Sequence, residues 1–382
     1  MKIFCPQSEL AQHLGLVGRA VAARPTHPIL ANILLEADAQ SGTISLTGFD
    51  LDLGIYTQLA AMVEEGGRTT LPARMFSDIV TRLPNEDVTI EITQDDRITL
   101  ECGKQLQYQV QGAGAEEFPR LPGLPDGLVH VLPIGELLTG IQRSLFAAST
   151  DESKQILNGV SIRAVDGGVE FVATDGHRLS YYSVDLLTGK ESPARANWTV
   201  TAVLPVRSLR ELEKILAAQS ASEVEVTFDE KQMIFQFPNQ CLTTRLLNGR
   251  YPDYHQLLPK QFTNTADIDR KQLIAALERI SVLASQKNHI VKLDFASGDN
   301  QPTLTISVDA PDVGRGKESV AIQYRGSDLS AAFNVRYLLE GLKIIDATDV
   351  SFCLNGAVNP AILQPVGRQD YRYLIMPVSV RG

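Results

Sequence analysis

Apolar residues recur along this chain at two spacings, and the spacings alternate six times. At helical spacing, Leu10, Leu14, Val17 and Val21 fall on one face of residues 8–22, with Ser8 in place for an N-cap. The same stripe returns through Leu137, Leu138, Ile141 and Leu145, and again through Leu273, Leu277, Ile280 and Leu283. A second helix set is more alike still: residues 71–83, 204–216 and 333–345 align without a gap, each with Arg at its fourth position, Arg74, Arg207 and Arg336. Between helices the period drops to two, the signature of half-buried strands. Val160, Ile162 and Ala164 alternate up to a turn expected at Asp166-Gly-Gly168; Val169, Phe171 and Ala173 alternate beyond it, and Asp175-Gly176 breaks the run before Leu179. The predicted unit is a strand, a helix, then several antiparallel strands, used six times.

The aligned helices start 133 and 129 residues apart, so the six units pair into three repeats. A chain of 382 residues exceeds what one core holds, and three α+β domains at 1–125, 126–258 and 259–382 fit both the repeat and ordinary domain size. The boundaries fall in Pro/Gly-rich residues 118–127 and 251–259, neither of which reads as a long flexible tether.

The formal charge of −10 argues against nucleic acid on its face, but it is unevenly spread. Residues 1–125 carry −7, residues 126–258 carry −4, and residues 259–382 carry +1. The six helical segments together sum to +6, leaving −16 elsewhere. No apolar run is long enough to span a bilayer, and Glu9 interrupts the start before a secretory core could form, so a cytoplasmic protein is expected. Cys5, Cys102, Cys241 and Cys353 are far apart with no His beside them, which reads as four inert thiols and no zinc site.

Phosphate-binding and dinucleotide-binding loops, zinc-protease, EF-hand and nucleophile-elbow motifs are all missing, and no cofactor or metal is expected. The one cluster with the look of chemistry is Thr174-Asp-Gly-His-Arg-Leu179, where Asp175 could orient His177 as a general base. The same residues read more simply as a tight hairpin turn that displays His177 and Arg178. Upstream, Pro25 and Pro28 are expected to hold residues 24–32 extended, which would set Arg24 at a rigid helix end suited to a phosphate.

Several segments, in order across all three repeats, carry a resemblance: Arg24-Pro-Thr-x-Pro-Ile-Leu30, Leu46-Thr-Gly-x-Asp-Leu51, Leu71-Pro-Ala-Arg74, Leu157-Asn-Gly159, Thr174-Asp-Gly-His-Arg-Leu179, Tyr251-Pro-Asp-Tyr254, Leu258-Pro-Lys260, Phe333-Asn-Val335 with Tyr337, and Tyr373-x-x-Met-Pro377. Over essentially its full length the chain resembles the beta subunit of bacterial DNA polymerase III, the sliding-clamp family. The resemblance implies three tandem clamp domains, each a duplicated strand-helix-strands unit, forming a ring as a head-to-tail homodimer with helices inside and sheets outside. It implies a processivity factor that encircles duplex DNA without reading its sequence, tethers the polymerase and has no catalytic residues of its own.

By position it implies DNA-facing Arg24, Arg74 and Arg207, then Arg82, Arg210, Arg270 and Lys271. It further implies a groove for short linear peptides of the polymerase III catalytic subunit, the clamp loader, other polymerases and repair proteins. That groove comprises Leu157, Thr174, Gly176, His177, Arg178 and Leu179, then Pro252 and Leu257, then Asn334, Tyr337, Val358, Met376, Pro377 and Val378. Two departures from the family pattern stand out: Asp151 replaces a Gln that could touch DNA, and Gln256 replaces an Arg at the groove rim. Two other readings remain to be separated from this one: a hydrolase built on Asp175 and His177, and a clamp-like protein scaffold that does not encircle DNA.

Overall fold

A strand runs directly into every one of the six helices of this computed structural model, which describes residues 1–382 except 94, 124–128, 152, 166–167, 185–200, 286–287, 299–300, 311–312 and 380–382. In chain order, β1 (Lys2–Pro6) leads into α1 (Gln7–Val17), followed by β2 (Asn32–Asp38), β3 (Thr43–Phe49), β4 (Leu53–Ala60) and β5 (Met62–Glu65). β6 (Gly67–Pro72) leads into α2 (Ala73–Val80), then β7 (Asp87–Ile92), β8 (Arg97–Cys102) and β9 (Leu106–Gln111). β10 (His130–Pro133) leads into α3 (Ile134–Ser144), then β11 (Gly159–Val165), β12 (Gly168–Thr174) and β13 (Arg178–Val184). β14 (Thr201–Pro205) leads into α4 (Val206–Ala218), then β15 (Glu223–Phe228), β16 (Gln232–Phe237) and β17 (Gln240–Arg245). β18 (Asn264–Asp269) leads into α5 (Arg270–Ala284), then β19 (Ile290–Ala296), β20 (Thr303–Ala310), β21 (Gly314–Ala321) and β22 (Gln323–Arg325). β23 (Leu329–Asn334) leads into α6 (Val335–Ile344), then β24 (Asp349–Leu354), β25 (Ala361–Pro365) and β26 (Tyr371–Ile375).

The junctions have a shared chemistry. Pro6, Pro72, Pro133 and Pro205 each close the leading strand. A proline there lacks only an N–H that the first helical turn does not use, and Pro6 keeps extended angles, φ −62° and ψ 135°, before the helix begins. Asp269 and Asn334 hold the same place in the last two units and cap with their side chains, which accept from Gln272 N and from Arg336 N and Tyr337 N. Ser8 is therefore inside α1 and not its cap, because Pro6 already terminates the strand. The first helix also ends sooner than its stripe suggests, tightening into a 3-10 turn at Gly18–Ala20. Pro28 opens a second 3-10 turn, Pro28–Ala31, where an extended segment was expected, since a proline is accommodated at a first helical position.

The chain divides into two compact units. The first, residues 1–132 and 218–246, holds a five-stranded sheet in the order β5-β1-β7-β8-β9 and an eight-stranded sheet in the order β10-β15-β16-β17-β4-β3-β2-β6. Its helix α1 packs on β3 and β4 beside α2, and Gln7 Nε2 reaches Val80 O at 2.7 Å. Gly48 permits that packing, because a Cβ on β3 would stand 2.2 Å from Val17 O.

The second unit, residues 133–217 and 247–382, holds a nine-stranded sheet in the order β14-β11-β12-β13-β26-β25-β24-β18-β22 and a four-stranded sheet in the order β21-β20-β19-β23. α3 packs on β12 and β13, while α5 lies across β20 and β21 beside α6. The pairing of β13 with β26 sets Arg178 opposite Ile375 and Leu179 opposite Leu374. All seven residues of β12 are buried, so both of its faces are covered. The turn expected at Asp166-Gly-Gly168 lies partly outside the described residues, as does the end of the 118–127 segment.

Candidate functional site

β12 and β13 form a hairpin whose turn is Asp175-Gly176-His177, with Thr174 paired to Leu179. Gly176 has φ +94°, a value that disfavours any side chain, and Thr174 Oγ1 accepts from Gly176 N at 3.1 Å while donating to Arg178 O at 2.6 Å. Asp175 is committed to this turn: its Oδ1 accepts from His177 N at 2.8 Å and Arg178 N at 3.1 Å, and its Oδ2 from Arg178 Nε at 3.1 Å. The carboxylate thus serves the backbone and Arg178 instead of orienting the exposed His177 ring, which is the turn reading and not the catalytic one.

Because side chains alternate along β13, Arg178 and Leu179 part to opposite faces. Leu179, 1% exposed, joins Val172, Tyr254, Leu258, Cys353, Ile362 and Leu374 in one apolar cluster, with Tyr251, Tyr181 and Phe262 packed against it. Arg178 turns the other way. Its guanidinium contacts Glu340, donates to Phe146 O at 2.8 Å and lies 4.4 Å from the Tyr337 ring centroid. Arg178 therefore supports Tyr337 from beneath.

The outer face of β12 and β13 is covered by residues 251–258, and a buried carboxylate fastens that cover. Glu170, 5% exposed in the middle of an apolar strand, accepts from Tyr254 OH at 2.5 Å and from Tyr181 OH at 2.9 Å. His255 Nε2 stands 3.7 Å from the same carboxylate and 3.3 Å from Arg163 Nη1. Burial, reinforced by the bond to Glu170, pushes the Tyr181 hydroxyl up to about 12, and burial raises Tyr251 and Tyr254 further. In the sequence Glu170 is marked only as a lone charge among Val169, Phe171, Val172 and Ala173.

Around this floor stand exposed apolar side chains: Leu257 at 49%, Met376 at 40% and Val358 at 79%. Beyond β26 the chain continues beside two strands in turn, Met376 N donating to His177 O at 2.9 Å and Val378 N to Ala332 O at 2.8 Å. Asn334 caps α6 through its side-chain oxygen, and Tyr337 is half-buried on the same first turn. Leu157 is half-buried on a 3-10 turn tethered to the hairpin by Lys154 Nζ, which donates to Asp175 O at 3.0 Å. Exposed Pro252 and half-buried Pro377 complete the set. Leu257, Val358 and Met376 are thus exposed apolar side chains on segments that adjoin this hairpin and its cover. Gln256 bonds to Asp253 at 2.8 Å and adds no cation there.

The basic residues are placed less uniformly. Arg24, Arg74, Arg207, Arg210 and Lys271 are exposed. Arg82 is exposed as well and pairs with Asp78 at 3.2 Å; with Arg74, Met75, Ile79 and Tyr108 it lines a hollow of 490 Å³. Arg270 differs from the others: its Nε donates to Ala347 O at 2.8 Å and its Nη1 to Leu342 O at 3.2 Å, closing the C-terminal end of α6. Among the described residues no cluster of three or more metal-ligating side chains occurs, and no helix is long and apolar enough to cross a membrane. Burial raises the Cys5 thiol to about 12 and those of Cys241 and Cys353 to about 11, as befits unreactive thiols.

Comparison with known proteins covers the whole chain. Residues 1–122, 132–253 and 255–379 match the family models described as the N-terminal, central and C-terminal domains of the DNA polymerase III beta subunit. The beta sliding clamp of Synechococcus elongatus is 46% identical and that of Synechocystis sp. 43% identical, each match covering 100% of both chains. Among solved structures, the DNA polymerase sliding clamp of Bacillus subtilis superposes with a TM-score of 0.92 at 29% identity, again over 100% of both chains.

Proposed function

Because the chain belongs to the family of the DNA polymerase III beta subunit, the beta sliding clamps, we propose that two copies close head to tail into a ring around duplex DNA. The chain is a processivity clamp and not itself an enzyme. In this reading each copy contributes domains at 1–125, 126–258 and 259–382, acts in the cytoplasm, and offers its groove to short peptides of the polymerase III catalytic subunit, the clamp loader and other replication and repair proteins.

The observation that carries the ring is a pair of sheet edges that no strand covers among the described residues. β9 ends the five-stranded sheet and β21 ends the four-stranded one. Beside β9 stand exposed Met75 and Tyr108, at 49% and 41%, and α5, next to β21, exposes Val282 at 66%. An open edge flanked by apolar side chains is a template for strand addition. Two different edges meeting repeatedly must close into a ring or grow into a filament. The charge spread suits the contact, with −7 on residues 1–125 and +1 on residues 259–382.

For the DNA, exposed Arg24, Arg74, Arg207, Arg210 and Lys271 are the contacts we propose, with Arg82 and Arg74 nearest the β9 edge. Weak, sequence-independent phosphate attraction permits sliding while topology supplies retention. For partners, the proposed groove is the apolar surface of Leu257, Val358 and Met376 over Leu179, with Leu157, Thr174, Gly176, His177, Pro252, Asn334, Tyr337, Pro377 and Val378 at its border and Arg178 beneath it.

The test is retention after loading. Protein loaded onto nicked circular DNA should stay until the circle is cut and then leave rapidly from the ends. Equal dissociation from circular and linear DNA would instead favour the scaffold that does not encircle.

A further inference from the structure

A hollow of 980 Å³ opens on the outer face of the four-stranded sheet in the second unit. Val358 and Val378 line it, and both also border the peptide groove. From there the hollow runs past Ser330 and Ala332 on β23, Ile290 and Lys292 on β19, and Ser307 on β20, to Lys317 on β21. On β19 and β20 these residues occupy alternate positions, and their neighbours Val291, Leu293 and Ile306 are buried in the core. The crossing from β23 to β21 is three strand spacings, ~14 Å, which roughly four extended residues would span.

Its charge is lopsided. Among the described residues Lys292, Arg315 and Lys317 line it with the carboxylate of Asp309, and Asp294 stands beside Lys292. Arg315 is held by Asp309 at 3.1 Å and Lys292 by Asp294 at 2.9 Å, while Lys317 acts on Asp294 only at longer range. Exposed ion pairs of this kind exchange partners at little cost.

We infer that the peptide groove continues onto this face, and that the face takes an acidic stretch of about four residues flanking the groove-binding peptide of a partner. The inference rests on the groove reading above. The flank concerned is the one away from Leu179, because the chain passes from Leu374, opposite Leu179, through Met376 beside His177, to Val378 beside Ala332. A peptide whose apolar end sits beside exposed Leu257 and whose other end reaches Val378 meets the hollow next. The consequence is a graded preference among partners that share the same apolar anchor.

The experiment uses the full chain and three synthetic peptides that end in the same two large apolar residues and carry a four-residue flank of Glu, Gln or Lys. Fluorescence anisotropy at low salt should rank Glu over Gln over Lys, with the Glu flank binding roughly three- to tenfold more tightly than Gln, and the gap should shrink as salt is raised. Lys292→Glu with Ser330→Glu should erase or reverse the ranking, and Lys292→Gln should reduce it. Arg315 and Lys317 are left intact because β21 is also the proposed ring edge, and sedimentation checks that the variants assemble as the parent does.

Met376→Ala with Leu257→Ala supplies the control. If it weakens all three peptides while the parent binds them equally, the inference is overturned and the groove reading stands. If it weakens none, the groove reading falls and takes the inference with it. A ranking that survives Lys292→Glu with Ser330→Glu also overturns the proposal.

Discussion

Replacing Glu170 tests how the cover over β12 and β13 is held. The carboxylate is 5% exposed and accepts from two tyrosine hydroxyls, at 2.5 Å from Tyr254 and 2.9 Å from Tyr181. In Glu170→Ala the Tyr254 hydroxyl, on a residue only 4% exposed, loses its acceptor with no ready access to water. An orphaned buried donor costs about 1–3 kcal/mol, toward the upper end where the lost partner was charged. Tyr181 is half-buried, so water can serve its hydroxyl and its loss adds at most about 1 kcal/mol. The lost methylenes add about 1–2 kcal/mol. Against these, deletion relieves the desolvation of the carboxylate itself, which brings the net to roughly 2–4 kcal/mol.

Tyr254→Phe removes the stronger bond alone and should cost about 1.5–3 kcal/mol. The double variant should then cost less than the two singles together, by about 1–2 kcal/mol of coupling. Hydrogen exchange resolved to peptides of β12, β13 and residues 251–258 is the suitable assay, because a protein with more than one compact unit need not unfold in one step. A coupling below about 0.5 kcal/mol, or equal exchange in parent and Glu170→Ala, would refute the idea that this carboxylate fastens the segment carrying Pro252 and Leu257.

Two further outcomes follow from particular side chains. Arg270→Met should lower the stability of the α5–α6 pair by about 1–3 kcal/mol, read by the same exchange method, since two carbonyls lose their donor. It should leave the salt dependence of DNA binding nearly unchanged, whereas Arg210→Ala should reduce that slope by about 0.9; a similar drop for Arg270→Met would show that its guanidinium faces phosphate after all. At alkaline pH the buried and half-buried tyrosines set the limit. Tyr181, Tyr251, Tyr254, Tyr371 and Tyr373 are all raised by burial from 10.0, so their contribution is complete below pH 10 and declines as pH rises through about 12, the value for Tyr181. Tyrosinate absorbance should rise in two phases, the later one coinciding with loss of secondary structure. A single phase near pH 10 in a still-folded protein would contradict the burial assigned to these residues.

The repeat itself was legible because each unit carries its own period change, and six strand-to-helix junctions stand where the stripes begin. What the stripes could not show was pairing between distant strands. The bonds from β17 to β4 and from β13 to β26 join segments whose local patterns are the same as any other strand's. Helix ends depart from the stripes at Pro6 and Pro28, because a residue without a donor both stops strands and starts helices. At Asp175-Gly-His177 the tight turn read from the residues is the one that forms, with Asp175 accepting from backbone N–H groups. Position on a strand, and not residue type, separates Arg178 from Leu179. The role of Glu170 is not local, because its partners, Tyr181 and Tyr254, come from elements that only the folded chain brings together.

The ladder between β13 and β26 has a consequence during synthesis. Arg178 pairs with Ile375, so the outer edge of β13 is translated nearly two hundred residues before its partner. At about 5–20 residues per second, that edge emerges roughly 10–40 s ahead of the strand that will cover it. Through that interval Leu179 and Tyr181 lack the Leu374 strand beside them, on an edge ready to pair with any other chain. The nascent chain is thus exposed to misassembly for much of its translation, along the β13 edge that β26 later covers.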